Sequence, residues 1–324
     1  MYTSLRLQRF RSYTDFTTPL THGVTVIVGP NGSGKTNLLE AMYVLSMGGS
    51  FRAGDRDLLA HDQEWFKVDG VWVDQKRSFA YRVRGNGTAE KQFEFDGVKK
   101  ARLTHNYSVP VVLFEPDHLR LLRASPSGRR DYLDSLLAKL YPDFTWLKHQ
   151  FERVLQQRNA VLKRHLSRQQ REDHLFVWDI RLAELAKRLV ERRMELVGAF
   201  NTRLAVVYSA IAQKASALSV VYATAIDHEN YQAQFLHLLH TSVERDVERG
   251  FTSHGPHRDD FVVTLANSPA ASSASRGEMR SILLAFKIIE LELLAECNDK
   301  TPILLLDDVF SELDASRCRA LAQT

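Results

Sequence analysis

The chain has 324 residues, 44% of them hydrophobic and 25% charged, with a formal net charge of +4. That composition is ordinary for a globular protein, and the length allows a large core in two lobes. No apolar run approaches the roughly 20 residues that cross a bilayer, so a membrane protein is not expected. Met1-Tyr2-Thr3-Ser4-Leu5-Arg6 runs into a strand pattern rather than a secretory signal. Cys297 and Cys318 lack metal-ligand spacing and suit a reducing cytoplasm.

In chain order, Leu5 and Leu7 alternate, then Tyr13 to Thr18, and the apolar run Val24-Thr25-Val26-Ile27-Val28 predicts a third strand. Gly29-Pro30-Asn31-Gly32-Ser33-Gly34-Lys35-Thr36 follows and matches the phosphate-loop pattern G-x-x-x-x-G-K-[ST]. Its glycines let backbone N–H groups converge on a phosphate. The predicted helix from Gly34 to Leu45 adds its positive N-terminal end. In such a loop Lys35 reaches the outer phosphates and the Thr36 hydroxyl ligates Mg²⁺. Residues 65–97 predict a strand meander, with Asn86-Gly87 as a hairpin turn, and Val111–Phe114 predicts a buried strand. This portion, 1–115, forms the first part of an α/β unit built on a mixed sheet.

From 116 to about 250 the pattern becomes helical. Phe144, Leu147, Phe151, Val154, Val161 and Leu162 keep helical spacing, as do Trp178, Leu182, Leu185, Leu189, Leu196 and Phe200. A third helical stretch spans Tyr231 to Arg249. Between Phe144 and Leu204 there are 13 Lys/Arg against 7 Asp/Glu, which leaves −2 for the rest of the chain. Such a basic region suggests a polyanion, with Arg153, Arg158, Arg181, Lys187, Arg188, Arg192 and Arg193 as backbone contacts. Solvated helix faces rich in arginine read the same way. Arg11, on the first strand pair, fits either a phosphate contact or a structural role.

The stretch 251–324 returns to α/β. Phe261–Leu265 predicts a strand, Ser268 to Ala274 a small-residue loop, Gly277 to about Ala295 a long apolar helix, and Pro302–Leu306 a buried strand. Ile303-Leu304-Leu305-Leu306-Asp307-Asp308 is a Walker B pattern, four apolar residues followed by acids at the ligand-binding end of a strand. Asp307 is expected to share Mg²⁺ with Thr36, and Asp308 to orient the attacking water. Ser275-Arg276-Gly277-Glu278 opens the long helix and fits both a degenerate ATP-binding-cassette signature and a plain capping box. Ser311-Glu312-Leu313-Asp314 resembles the D-loop of the same ATPases.

Lys35 and Asp307 stand 272 positions apart, too far for a transporter cassette and too near for a long-coiled-coil SMC protein. With these motifs in place, the chain resembles the RecF family of bacterial recombination mediators over essentially its whole length. Leu7–Tyr13, Leu113-Phe114-Glu115-Pro116-Asp117, Ser125–Asp134, Gln157–Leu162 and Gly255–Asp260 carry the likeness. The resemblance implies an ATP-binding-cassette-type ATPase head with an inserted helical lobe. It implies a cytoplasmic, ATP-dependent homodimer that binds gapped, duplex or single-stranded DNA and hydrolyses ATP weakly. It further implies partnership with RecR and RecO in loading RecA, and roles in repair, replication restart and the SOS response. Ser275, Gly277 and Asp314 would then complete, across the dimer, the ATP site of the phosphate loop. An SMC-like ATPase with another client, or a non-hydrolysing nucleotide-dependent scaffold, are the alternatives. The family pattern continues to a further strand and a switch element, so a chain ending at Thr324 is expected to be a fragment or a truncated form.

Overall fold

A computed structural model describes residues 1–214 and 216–308, without the side chains of 116, 117, 119 and 120. In chain order the elements begin with β1 (Tyr2–Phe10), β2 (Tyr13–Pro19), α1 (Lys35–Met47), β3 (Trp65–Trp72) and β4 (Gln75–Val83). Then come β5 (Ala89–Phe95), β6 (Val98–Lys100), β7 (Val111–Phe114), α2 (Pro126–Leu140) and α3 (Phe144–Leu162). The next are α4 (Arg168–Ala212), β8 (Leu218–Ala223), α5 (Tyr231–Thr241) and α6 (Val243–Arg249). The last described are β9 (Asp260–Leu265), β10 (Ser268–Pro269), α7 (Ala270–Ser273), α8 (Arg276–Cys297) and β11 (Ile303–Leu306).

The chain divides into two compact units, 1–114 with 294–308, and 115–293. In the first, an antiparallel sheet of order β2-β1-β3-β4-β5-β6 buries alternate residues on one face. Leu5, Leu7, Phe66, Val68, Phe79, Tyr81, Phe93 and Phe95 form that face, and their period of two is what the sequence shows. Helix α1 lays Leu38, Ala41, Val44 and Leu45 on it. Its other flank, Leu39, Met42, Tyr43 and Met47, packs against the parallel pair β7–β11. The expected mixed sheet is thus divided into an antiparallel ladder and a parallel one, with α1 between them.

The strand expected at 24–28 is not formed. Val24, Val26 and Val28 are 84%, 68% and 85% exposed, and only Ile27 packs against the core. An extended run becomes a strand through a ladder partner, and no described strand pairs with this one. Among the described residues β11 pairs with β7 alone.

The second unit is built on α4, whose 45 residues make a rod of about 68 Å. It is longer than the sequence periodicity suggested. Ser167 caps it in a capping box with Gln170, and buried Leu175, Leu204, Tyr208 and Ile211 extend its apolar stripe beyond both expected ends. Helix α3 packs along α4. Strand β8, which the sequence reading passed over, pairs antiparallel with β9. The Asn201 side chain both donates to the Val220 carbonyl and accepts from its N–H, each at 2.8 Å. The segment read as the loop Ser268–Ala274 contains β10 and the short helix α7.

Candidate functional site

The loop 29–34 leads into α1 through Gly34, whose φ of +94° is a left-handed conformation. A Cβ there would stand 2.8 Å from Ser12 Oγ and 3.2 Å from the Tyr13 hydroxyl, so both space and conformation require glycine. The Tyr13 hydroxyl donates to the Gly34 carbonyl at 3.2 Å, and Asn37 Nδ2 donates to Ser12 Oγ at 2.9 Å. The turn after β1 therefore braces the start of α1.

Six residues after Gly34, Glu40 is fully buried. It accepts from Arg11 Nε (2.9 Å) and Nη2 (2.8 Å), from Arg52 Nη2 (2.8 Å) and from Ser50 Oγ (2.6 Å). Burial opposes its ionisation, but the donors from Arg11, Arg52 and Ser50 outweigh it and hold the carboxyl at about 2. Arg11 also donates to the Asp57 carbonyl, which fixes its role as a structural clamp. No sequence signal separated that role from phosphate binding.

Within the loop, Lys35 Nζ donates to the Gly29 and Pro30 carbonyls, each at 2.9 Å. Gly29, Pro30, Asn31, Gly32 and Ser33 are exposed, with Gly32 at φ +79°. Parallel pairing with β7 extends one residue past β11, where the Asp307 N–H donates to the Phe114 carbonyl at 2.9 Å. That bond sets Asp307 at the strand end, and Thr36 Oγ1 donates to its Oδ1 at 3.1 Å. Two residues 271 positions apart thus share one point beside the loop. A hydroxyl and a carboxylate at that distance suit a hard divalent cation such as Mg²⁺, which takes few protein oxygens and keeps its waters. Asp308, next in line, is exposed and left-handed at φ +50°.

Ser275 and Gly277 lie at the start of α8 in the second unit. Ser275 Oγ accepts from the Glu278 N–H at 3.2 Å, while Glu278 Oε2 accepts from the Ser275 N–H and hydroxyl, each at 2.9 Å. The capping box is therefore formed, and Ser275 remains exposed. Asp314, its neighbours Ser311–Leu313, and Cys318 lie outside the described residues.

A model of the RecF/RecN/SMC N-terminal domain matches residues 1–324. The DNA replication and repair protein RecF of Clostridium novyi is 32% identical over 97% of this chain and 87% of its own. The chain belongs to the RecF family. The RecF of Clostridium acetobutylicum is 30% identical with the same coverage. A solved structure described as that of the recombination mediator protein RecF-ATP in the RecFOR pathway matches with a TM-score of 0.83 at 29% identity. It covers 99% of this chain and 88% of its own. The Smc head domain of Pyrococcus furiosus, at 16% identity and a TM-score of 0.54, shares the fold.

The motifs that carry the RecF likeness in the second unit turn out to be buried ion networks. Arg158 is fully buried, donating to Asp179 (2.6 Å), Asp246 (2.8 Å) and Thr252 Oγ1 (2.8 Å), while Asn159 accepts from the Thr252 N–H. Arg193 forks onto both oxygens of Asp134 at 2.8 and 2.9 Å and donates to the Pro256 carbonyl at 2.7 Å. Arg129 pairs with Asp260, and Arg130 donates to the Asp259 carbonyl. Segments 125–134 and 255–260 are therefore clamped together. His257 sits inside this region, where burial holds its imidazole at about 4.

Two of the expected DNA contacts on the helices are corrected by this. Arg158 and Arg193 are out of reach, because desolvating a guanidinium demands internal carboxylates and they have them. Arg181, Lys187 and Arg192 pair with Glu184, Glu191 and Glu195 on their own helix. Arg153 and Arg188 stand exposed. Pairs inside the stretch 144–204 are already netted in its +6, and Asp246 and Asp134 from outside it offset two of those charges. Among the described residues no helix is long and apolar enough to cross a membrane.

Proposed function

We propose that this chain is an ATP-dependent DNA-binding protein of recombinational repair and replication restart. It closes as a homodimer on ATP and cooperates with RecR- and RecO-type partners in loading the RecA recombinase. The observation that carries the reading is the Thr36–Asp307 contact beside the phosphate loop. It is supported by the likeness, over 99% of the chain, to a structure described as RecF-ATP in the RecFOR pathway.

In this reading the backbone N–H groups of 29–34 and the N-terminus of α1 take the β- and γ-phosphates. Lys35 exchanges its two loop carbonyls for phosphate oxygens, a charge-assisted replacement that favours the bound state. Thr36 and Asp307 hold Mg²⁺, which supplies charge neutralisation on the phosphates. Asp308 orients the attacking water, and its short side chain sets the carboxylate back, consistent with slow turnover. Ser275 and Gly277 of a second subunit face the γ-phosphate, with Asp314 near the two-fold contact. Because that phosphate touches both subunits, ATP stabilises the dimer and hydrolysis releases it.

Sedimentation of the Asp308→Asn protein with saturating ATP and Mg²⁺ tests the scheme. The expected species is a dimer, and a monomer under those conditions contradicts it. Phosphate release with and without gapped DNA then separates a DNA-stimulated ATPase from a non-hydrolysing scaffold.

A further inference from the structure

Several cations of the first unit's antiparallel sheet are neutralised where they stand. Arg6 pairs with Asp15, Lys67 with Asp69, Arg84 with Glu90 and Lys91 with Asp55. Among the described residues Arg9, Lys76 and Arg82 have no ion pair, but the segment after β5 brings three such cations within four residues. Strand β6 is exposed at all three positions and closes the sheet as an edge strand. Lys99, Lys100 and Arg102 follow one another there, all exposed. None makes an ion pair among the described residues, and Lys100 only passes over the Tyr107 ring at 5.8 Å.

The nearby acids do not quench these three charges. Asp96 turns its carboxylate onto the Lys76 N–H at 2.8 Å. Glu94 lies directly across the ladder from Lys99 without forming a salt bridge. The segment is also held in place. Asp96 and Gly97, at φ +48° and +84°, make the tight turn into β6, the primed geometry that fixes hairpin register. On the far side Leu103 packs against the unit's core and against Gly48. Three unpaired cations thus sit within at most about 10 Å of anchored chain.

Resting on the DNA-binding reading above, we propose that the β6 edge is a contact for the phosphodiester backbone of DNA. Charge complementarity selects this occupant. A duplex presents one phosphate per about 3.4 Å of axis on each strand, and Lys99 and Lys100, leaving opposite faces of the edge strand, can straddle that row with their long side chains. Such contacts position the nucleic acid without reading its sequence. Lysine at a sheet edge also discourages strand pairing, and the salt dependence of DNA binding distinguishes the two roles.

The test uses the full chain, ATP, and a fluorescein-labelled duplex of mixed sequence, with anisotropy followed from about 50 to 200 mM salt. The Lys99→Gln/Lys100→Gln/Arg102→Gln protein should show a log–log slope shallower by about 2 to 3, so its affinity falls roughly 40-fold less across that range. A matched Arg153→Gln/Arg188→Gln protein should lose a smaller part of the slope. Circular dichroism confirms that both are folded, and single Lys99→Gln and Arg102→Gln proteins, each lowering the slope by about 1, stand in should the triple variant fail to fold. An unchanged slope in a folded variant, with the unaltered protein binding DNA, overturns the β6 assignment alone. Absence of DNA binding by the unaltered protein overturns the assignment together with the reading beneath it.

Discussion

Both units set arginine against buried carboxylates, with the guanidinium part-exposed over Glu40 and buried at Arg158 and Arg193. In the phosphate-loop unit, Arg11 and Arg52 converge on Glu40 and brace α1, while Lys99, Lys100 and Arg102 face solvent without partners. In the helical unit, where the sequence concentrates basic residues, Arg158 and Arg193 are sunk into carboxylate networks, Arg181 and Arg192 pair along the helix, and Arg153 and Arg188 stand exposed. Counting charge by stretch therefore does not say which cations are free. What decides is whether each cation has a carboxylate within reach.

The sharpest way to break this comparison is to remove a buried guanidinium. Arg158→Met leaves Asp179 and Asp246 buried without a counter-charge, so stability should fall by about 3–5 kcal/mol in denaturant unfolding. A loss below about 1 kcal/mol would place that network among ordinary surface pairs. Next, Lys35→Ala removes one charge-assisted donor from the phosphate loop. ATP affinity should drop about 10- to 100-fold in equilibrium binding, with the unfolding midpoint little changed. Gly34→Ala forces a side chain into a left-handed position against Ser12 Oγ and should cost about 1–2 kcal/mol, read by thermal unfolding.

Glu40 gives a pH signature. Its folded carboxyl is held at about 2 against an ordinary value of 4.5, so its ion pairs contribute fully above the unfolded value and are lost as pH falls through the folded one. The unfolding midpoint of the native chain should decline between about pH 4.5 and 2, and Glu40→Gln should flatten that decline while lowering the plateau. The smallest effect is expected on the helix surface, where Arg181→Gln breaks an exposed pair with Glu184 and should change stability by less than about 0.5 kcal/mol.

Much of this was legible because it is local. Period-two burial in β1, β3, β4 and β5 and the helical stripe of α3 follow from side-chain alternation alone. The phosphate loop and Asp307 were found from fixed spacing, and the fold brings them to 3.1 Å. What escaped depends on partners distant in sequence. Val24–Val28 has the composition of a strand, yet a strand requires a neighbour, and among the described residues it has none. Strand β8 hides its signal, Leu218, Val220 and Tyr222 alternating, behind the end of a long helix. The roles of Arg158, Arg193 and Arg11 hinge on carboxylates 21 to 88, 59 and 29 positions away. No residue type announces such a pairing. The motif at 255–260 is known from sequence only by its family likeness, whereas in the fold its polar groups meet those of 125–134 and Arg193 in the middle of α4.

The account rests on Thr36 and Asp307 forming one cation-and-phosphate site. Its most direct measurement is the Mg²⁺ dependence of ATP binding to the native chain and to Asp307→Asn, at equal protein concentration. The native chain should bind ATP more tightly as Mg²⁺ is added, and Asp307→Asn should lose that enhancement while keeping its fold. Equal enhancement by Mg²⁺ in both proteins would contradict the site.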